Sequence, residues 1–283
     1  AELLRPLAAD AAEPTSLEAS LDLASTDLRR DRAEAALKTL DDAIPHAGKS
    51  PLAPALLFRS AEALRALNRI PEARVRFLKV AETSPADVWA DDAWLEAARL
   101  ALQAGDHAGA EKLAREFAEK FPESKLQADV LLVQAKAAVA ADRPADAIPA
   151  LESIVGKGSK PLAPSPAPEV VDAARYDLAQ AYRAVGKGEQ ADAELAELAK
   201  SSRKGVGADA AFLLGRSHLD ASRFAEAEAA FARYLDDAPD GPIADHALAN
   251  RAAALLALNR SKDAAEAVDR LASRFPNSPA LAP

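Results

Sequence analysis

The sequence predicts an all-α protein, built as an α-solenoid of about seven helix–turn–helix repeats. Two features of the composition favour helices: hydrophobic residues, many of them alanine, make up 49% of the chain, and aromatic residues make up only 5%. Alanine is the best helix former and lets helices approach closely. The third observation is a pattern, because small residues, apolar residues and prolines return at a period of about 37 residues.

The repeat is clearest in a set of alanines that recur at intervals of 36 to 44 residues. These alanines are Ala33, Ala73, Ala110, Ala147, Ala191, Ala227 and Ala264. In most repeats an apolar residue follows after four positions, on the same helical face. Proline follows after twelve positions in five of the seven repeats, at Pro45, Pro85, Pro122, Pro239 and Pro276. Since proline is only 19 of 283 residues, this recurrence is not an effect of composition.

Each repeat is predicted to be an antiparallel pair of helices. The first helix presents a small residue such as Ala98 or Gly215 where its partner crosses, and a turn residue such as Gly105 or Asn259 follows. The recurring alanine lies at the crossing point of the second helix. Proline then ends that helix, because it lacks an N–H and its ring clashes with the preceding turn. The serine in "KFPES" is predicted to cap the next helix.

This spacing resembles the tetratricopeptide repeat over roughly residues 14 to 280. The best matches are "WLEAARLALQAGDHAGAEKLAREFAEKFP", "YDLAQAYRAVGKGEQADAEL" and "FLLGRSHLDASRFAEAEAAFARYLDDAP". The resemblance implies a right-handed superhelix whose concave groove is lined by the first helices. Lengthened repeats with "FP-x-S" ends are most similar to bacterial cell-envelope members, which favours a periplasmic or envelope location.

The chain is predicted to divide into an N-terminal array of about three and a half repeats (1–155), a Pro/Gly-rich loop (156–170) and a C-terminal array of three repeats (171–283). Proline and glycine in the loop disfavour a helix there. Two interpretations of this loop stay open, a passive surface loop and a hinge. Neither "AELLRPLAAD" nor "FPNSPALAP" forms an obvious polar capping helix, so self-association through the ends is a further expectation.

The sequence contains no pattern that predicts a catalytic residue, a metal site or a cofactor. The Gly-Lys loops at 46–50, 156–160 and 186–188 lack the preceding strand of a phosphate-binding loop and are interpreted as turns. The chain has no cysteine, and its four histidines form no zinc-binding pair. A net charge of -9 argues against a nucleic-acid partner. No apolar run is long enough to insert into a membrane.

The resemblance also implies which first-helix positions line the groove. An apolar row is expected at Phe58, Leu95, Leu132, Tyr176 and Phe212, beside a basic row at Arg65, Arg99, Lys136, Arg183 and Arg216. Such a groove would bind a peptide with apolar anchors and acidic flanks. In the alternative interpretation, the apolar row packs between adjacent first helices and the basic side chains lie over it in water.

Seven repeats in register without a catalytic constellation favour a non-enzymatic scaffold that binds a protein or peptide partner. An alternative is that the array is the regulatory or sensor module of a longer enzyme whose catalytic domain lies outside this chain.

Overall fold

A computed structural model describes residues 14–158, 161–203 and 205–281. This part of the chain forms fourteen α-helices and one short 3-10 turn, with no strand, so the prediction of an all-α protein is confirmed. The helices are α1 (Pro14–Arg29), α2 (Ala33–Ala47), α3 (Ala53–Ala66), α4 (Ile70–Thr83), α5 (Ala90–Gln103), α6 (His107–Lys120), α7 (Gln127–Ala140), α8 (Pro144–Ile154), α9 (Pro168–Ala184), α10 (Gly188–Leu198), α11 (Val206–Asp220), α12 (Phe224–Asp237), α13 (Ala244–Ala257) and α14 (Ser261–Arg274).

The chain divides into two compact units, each with its own core. Unit 1 comprises Ala1–Asp146 and Lys160–Pro166, and unit 2 comprises Ala147–Ser159 and Ala167–Pro283. Within unit 1, each helix from α1 to α7 packs against the next, and the first helices α1 and α3, and α5 and α7, also touch. Within unit 2, the helices α9 to α14 follow the same order, and the first helices α11 and α13 touch. Within each unit, successive helices therefore cover one another's apolar faces.

The recurring alanines lie at the crossing points of the helices, as their spacing predicts. All seven are buried, which lets the paired helices approach closely. Glycine meets the same need in α11, where a Cβ added to Gly215 would lie 2.8 Å from the ring of Phe231. The last repeat departs from the pattern, because Val268 is exposed whereas its counterparts in the earlier repeats are buried.

The turns within repeats share one backbone conformation. The residue that reverses the chain has a positive φ in all seven turns, at Asp31, Asn68, Gly105, Asp142, Gly186, Ser222 and Asn259. In the Gly186 turn, the N–H of Gly186 donates to the carbonyl of Arg183, and the N–H of Lys187 donates to that of Tyr182. These paired bonds satisfy the last carbonyls of α9 and define a Schellman motif. The glycine–lysine–glycine stretch is thus a helix-ending turn.

Proline positions agree with the predicted helix ends in four repeats and correct the prediction elsewhere. Pro85, Pro122, Pro239 and Pro276 each stand two residues after the end of a second helix. Pro45 instead lies inside the last turn of α2, where it removes one hydrogen bond without stopping the helix. Pro168 begins α9 inside the segment predicted to be free of helix, because proline suits the first helical position.

The serines of the inter-repeat turns have a role other than the predicted capping. The Ser124 hydroxyl accepts a hydrogen bond from the Leu126 N–H at 3.0 Å and donates to the Asp91 carboxylate at 2.7 Å. Helix α7 begins at Gln127 without a side-chain cap. Ser124 therefore ties the turn to the start of the preceding first helix. Ser278 makes the equivalent bond to Asp245, and this bond holds the pKa of that carboxyl below its usual range.

Candidate functional site

The structure buries three residues of the apolar row. Phe58, Leu95 and Phe212 are exposed to only 7%, 2% and 9%, respectively. The Phe58 ring lies 5.1 Å from that of Phe77 and 4.8 Å from that of Trp89. This is the packing alternative, in which aromatic rings fill the space between helices. These three residues therefore support the core and do not belong to an exposed contact surface.

The other two residues of the apolar row remain accessible. Leu132 is half-buried, and Tyr176 is 42% exposed. The repeat of Tyr176 carries Leu195 where the repeats of Phe58 and Phe212 carry Phe77 and Phe231. The sequence pattern placed all five residues in one class, and the structure separates the two accessible residues from the three buried ones.

The five basic residues are all exposed on the first helices. We call the exposed and half-buried side chains on this side of the first helices within one unit its first-helix face. In unit 1 this face includes Arg65, Glu96, Arg99, Leu102, Asp129, Leu132 and Lys136. In unit 2 it includes Tyr176, Arg183, Leu213, Arg216, Leu219, His246 and Leu256.

Carboxylates neutralise the arginines on the unit 1 face. Arg65 of α3 forms an ion pair with Glu96 of α5. Arg99 contacts Glu96 at 2.9 Å and Asp129 of α7 at 2.8 Å. Beside these pairs, a cleft of about 300 Å³ is lined by Leu102, Leu132 and the charged side chains around them. The unit 1 face is thus apolar at its floor and charge-balanced at its rim.

On the unit 2 face the arginines lack such partners. Arg183 of α9 and Arg216 of α11 form no ion pair or hydrogen bond with any side chain that the structure describes. Tyr176 stands two turns before Arg183 on α9. Leu256 of α13 is 57% exposed on the same face. Unpaired guanidinium groups therefore accompany large exposed apolar side chains here.

Unit 2 also contains buried ionic groups that sequence reasoning missed. Glu194 of α10 is fully buried and bonds both Lys157 and Arg175, the latter at 2.8 Å. The hydroxyl of Tyr182 donates to Glu152 at 2.5 Å, and burial followed by this bond raises the pKa of Tyr182 above its usual value. The five residues come from three helices and the turn after α8, so no local spacing signals the cluster. Its side chains pair with each other, which indicates a structural role.

A second buried cluster lies where α10, α11 and the following turn meet. Asp192 forms an ion pair with Arg223, and its carboxylate lies 3.7 Å from Nδ1 of His218. Burial, followed by the charge of Arg223, lowers the pKa of His218. Each of the three side chains has a buried polar atom without a hydrogen-bond partner.

Three other features bear on the expected chemistry. Within the described ranges, no group of histidine and acidic side chains could hold a metal ion. No helix in the same ranges is long and apolar enough to cross a membrane. Of the glycine–lysine loops, Ser159 and Lys160 of the 156–160 segment lie outside the described residues, as does the N-terminal stretch "AELLRPLAAD".

Two protein-family models match this chain, and both describe the same kind of repeat. A family model described as tetratricopeptide repeat matches residues 21–88 and 176–242. A second model of the same description matches residues 92–124. Together the matched residues make up more than half of the chain. No curated protein sequence matches it.

Solved structures confirm the predicted solenoid fold. The C-terminal part of a TPR repeat-containing protein from Cytophaga hutchinsonii is 15% identical, covers 92% of this chain and 96% of its own, and has a TM-score of 0.65. PilW, a type IV pilus biogenesis factor, is 17% identical over 81% of this chain and 96% of its own, with a TM-score of 0.53. YrrB, a TPR protein with an unusual peptide-binding site, is 18% identical over 74% of this chain and 96% of its own, with a TM-score of 0.51. At these identities the likeness concerns the fold alone.

Proposed function

Because the chain belongs to the tetratricopeptide repeat family, we propose that it is a non-enzymatic scaffold that binds a protein or peptide partner on its first-helix faces. Proteins of this family are generally interaction modules without catalysis, which supports the general statement. The peptide-binding site in the name of YrrB favours a peptide ligand. The likeness to PilW favours a location in the bacterial cell envelope.

The observation that carries the proposal is the exposure of Tyr176 and Leu256 on the unit 2 face. Phe58 and Phe212, which share the register position of Tyr176, are by contrast buried in the core. Aromatic and arginine side chains supply most of the binding energy in protein interfaces, because they combine large contact areas with directed hydrogen bonds. We propose that apolar anchors of the partner contact Tyr176 and Leu256, and that its acidic flanks contact the basic row.

A synthetic peptide array probed with the intact chain tests this proposal. Peptides that bind are resynthesised with a fluorescent label and titrated in solution. The Tyr176→Ala variant is expected to bind them about tenfold more weakly, as is usual when an aromatic anchor is truncated. Val268→Ala is the matched control, because Val268 is equally exposed but lies on a second helix.

Two results would contradict the proposal. The first is an array without peptides that bind in solution. The second is a set of binding peptides whose affinity is the same for Tyr176→Ala, for Leu256→Ala and for the unaltered chain. Circular dichroism of each variant verifies that the helices remain folded.

A further inference from the structure

The two first-helix faces differ at the positions that neutralise arginine. In unit 1, Arg65 pairs with Glu96, which directly follows the buried Leu95. Arg99 pairs with the same Glu96 and with Asp129 of the following repeat. One glutamate and one aspartate thus neutralise both arginines across three consecutive first helices.

The repeat register shows what replaces these carboxylates in unit 2. Arg183 occupies the position of Arg65, and Arg216 occupies the position of Arg99. The position of Glu96 holds Leu213, a half-buried apolar residue. The position of Asp129 holds His246, whose ring contacts its neighbour Asp245. Both carboxylates that neutralise the unit 1 arginines are therefore missing around Arg183 and Arg216.

A carboxylate of similar register does occur in unit 2, but it does not compensate. Asp209 of α11 has the same register position as Asp129. The residue of the preceding first helix that corresponds to Arg99 is Gln180, so Asp209 has no arginine at that position to pair with. Asp209 forms no ion pair with Arg183 or Arg216. The two guanidinium groups therefore keep their donors directed to solvent.

We infer that the unit 2 first-helix face selects acidic peptide segments, whereas the unit 1 face does not. This inference rests on the proposed function and narrows it to one of the two faces. An unpaired guanidinium can bind a carboxylate through two parallel N–H donors. A paired guanidinium must first release its own carboxylate, so an acidic ligand brings little net gain. The acidic flanks of the partner thus lie against Arg183 and Arg216, with an apolar side chain against Tyr176.

Two matched sets of fluorescent peptides test the inference on the intact chain. Both sets share leucine and phenylalanine anchors, and their polar positions hold glutamate in one set and glutamine in the other. The unaltered chain is expected to bind the glutamate set on the order of tenfold more tightly, as charge-assisted hydrogen bonds allow. Raising the salt concentration should reduce this preference, because exposed charges are screened.

Paired double variants then locate the preference. Arg183→Gln with Arg216→Gln is expected to abolish it while leaving the affinity for the glutamine set unchanged. Arg65→Gln with Arg99→Gln is the matched control, because it removes the same total charge from the other face. This control is expected to retain most of the preference.

A third variant supplies the missing carboxylate without removing an arginine. Leu213→Glu places a glutamate at the Glu96 position, so it should pair with Arg183 and Arg216 and remove the preference for the glutamate set. Leu213→Gln has similar size and polarity without the charge, and it is expected to retain the preference. Circular dichroism confirms folding of both variants.

The possible results separate the two levels of the claim. If the unaltered chain binds neither set, the proposed scaffold function is contradicted together with the inference. If both sets bind and the Arg183/Arg216 double variant keeps its preference, the inference alone is wrong. It is also wrong if both double variants lose the preference equally, because the effect then reflects total charge.

Discussion

Units 1 and 2 share the same helical repeat but treat their charged side chains differently. On the first-helix face of unit 1, the arginines are paired at the surface, as in the contacts of Arg65 and Arg99 with Glu96. On the first-helix face of unit 2, Arg183 and Arg216 remain unpaired, and elsewhere in this unit the carboxylate of Glu194 is buried with its partners. The apolar positions thus follow the repeat closely, whereas the charged positions vary from repeat to repeat.

A series of ion pairs between successive repeats, beside their second helices, shows the same variation of charged positions. In four repeats, the residue just before the second helix forms an ion pair with a residue of the preceding repeat. That partner lies five positions after the residue that precedes the second helix of its own repeat. In Arg143–Glu111, Arg223–Asp192 and Arg260–Glu228 the arginine comes from the later repeat. In Arg74–Asp106 the polarity is reversed, since Asp106 comes from the later repeat. Where this contact is an ion pair, either repeat can supply the arginine.

The largest expected difference between the units comes from removing a buried carboxylate. Glu194→Ala leaves Arg175 and Lys157 without their partner, and it should lower the free energy of unfolding by about 3 kcal/mol. Glu96→Ala removes an equally shared carboxylate from the exposed pairs of unit 1 and should cost about 1 kcal/mol or less. Urea denaturation followed by circular dichroism measures both values. Equal losses for the two variants would contradict the contrast between buried and exposed pairs.

A smaller loss of stability is expected at the Arg74–Asp106 ion pair, in which the later repeat supplies the carboxylate. Asp106 accepts a hydrogen bond from the Gly109 N–H at 2.9 Å and pairs with Arg74 at 2.6 Å. These bonds hold the pKa of the Asp106 carboxyl below its usual range. Asp106→Ala removes the helix cap and the ion pair, and should lower the free energy of unfolding by about 1 kcal/mol.

Asp106→Asn separates the contribution of the helix cap from that of the ion pair with Arg74. It keeps a capping oxygen and loses only the charge, so it should cost less than about 0.5 kcal/mol in the same denaturation experiment. A loss as large as that of Asp106→Ala would mean that the ion pair with Arg74, and not the cap, dominates at this position.

The smallest expected effect is a dependence of unit 2 stability on pH. Burial lowers the pKa of His218 below its ordinary value of 6.5, so the unfolded chain takes up this proton more readily than the folded chain. The contribution of His218 to stability is therefore fully present above pH 6.5, and it is lost as the pH falls through 6.5 towards the lower folded pKa. Melting temperatures measured across this range should decrease towards acid.

Replacing the histidine tests the assignment. His218→Gln is expected to flatten the decrease between neutral and mildly acid pH, whereas His107→Gln in unit 1 should preserve it. An unchanged pH profile for His218→Gln would assign the effect to other groups.

The sequence by itself determined the repeat, the helix pairs and the packed positions. Recurring alanines such as Ala110 predicted the crossing points, and Gly105 and Asn259 predicted the reversals, because small size and positive φ are requirements of a single residue. The prolines predicted most helix ends. Pro45 was the exception, because a proline in the last turn removes only one hydrogen bond and does not end the helix.

Only the tertiary structure decided which members of the two rows remain available to a partner. Phe58 and Tyr176 share a register position, but the first is buried by Phe77 and Trp89 and the second is exposed. Arg65 and Arg183 likewise differ through Glu96 on the adjacent helix. The physical reason is that exposure and charge pairing depend on side chains about 30 residues away, which the pattern within one helix does not contain.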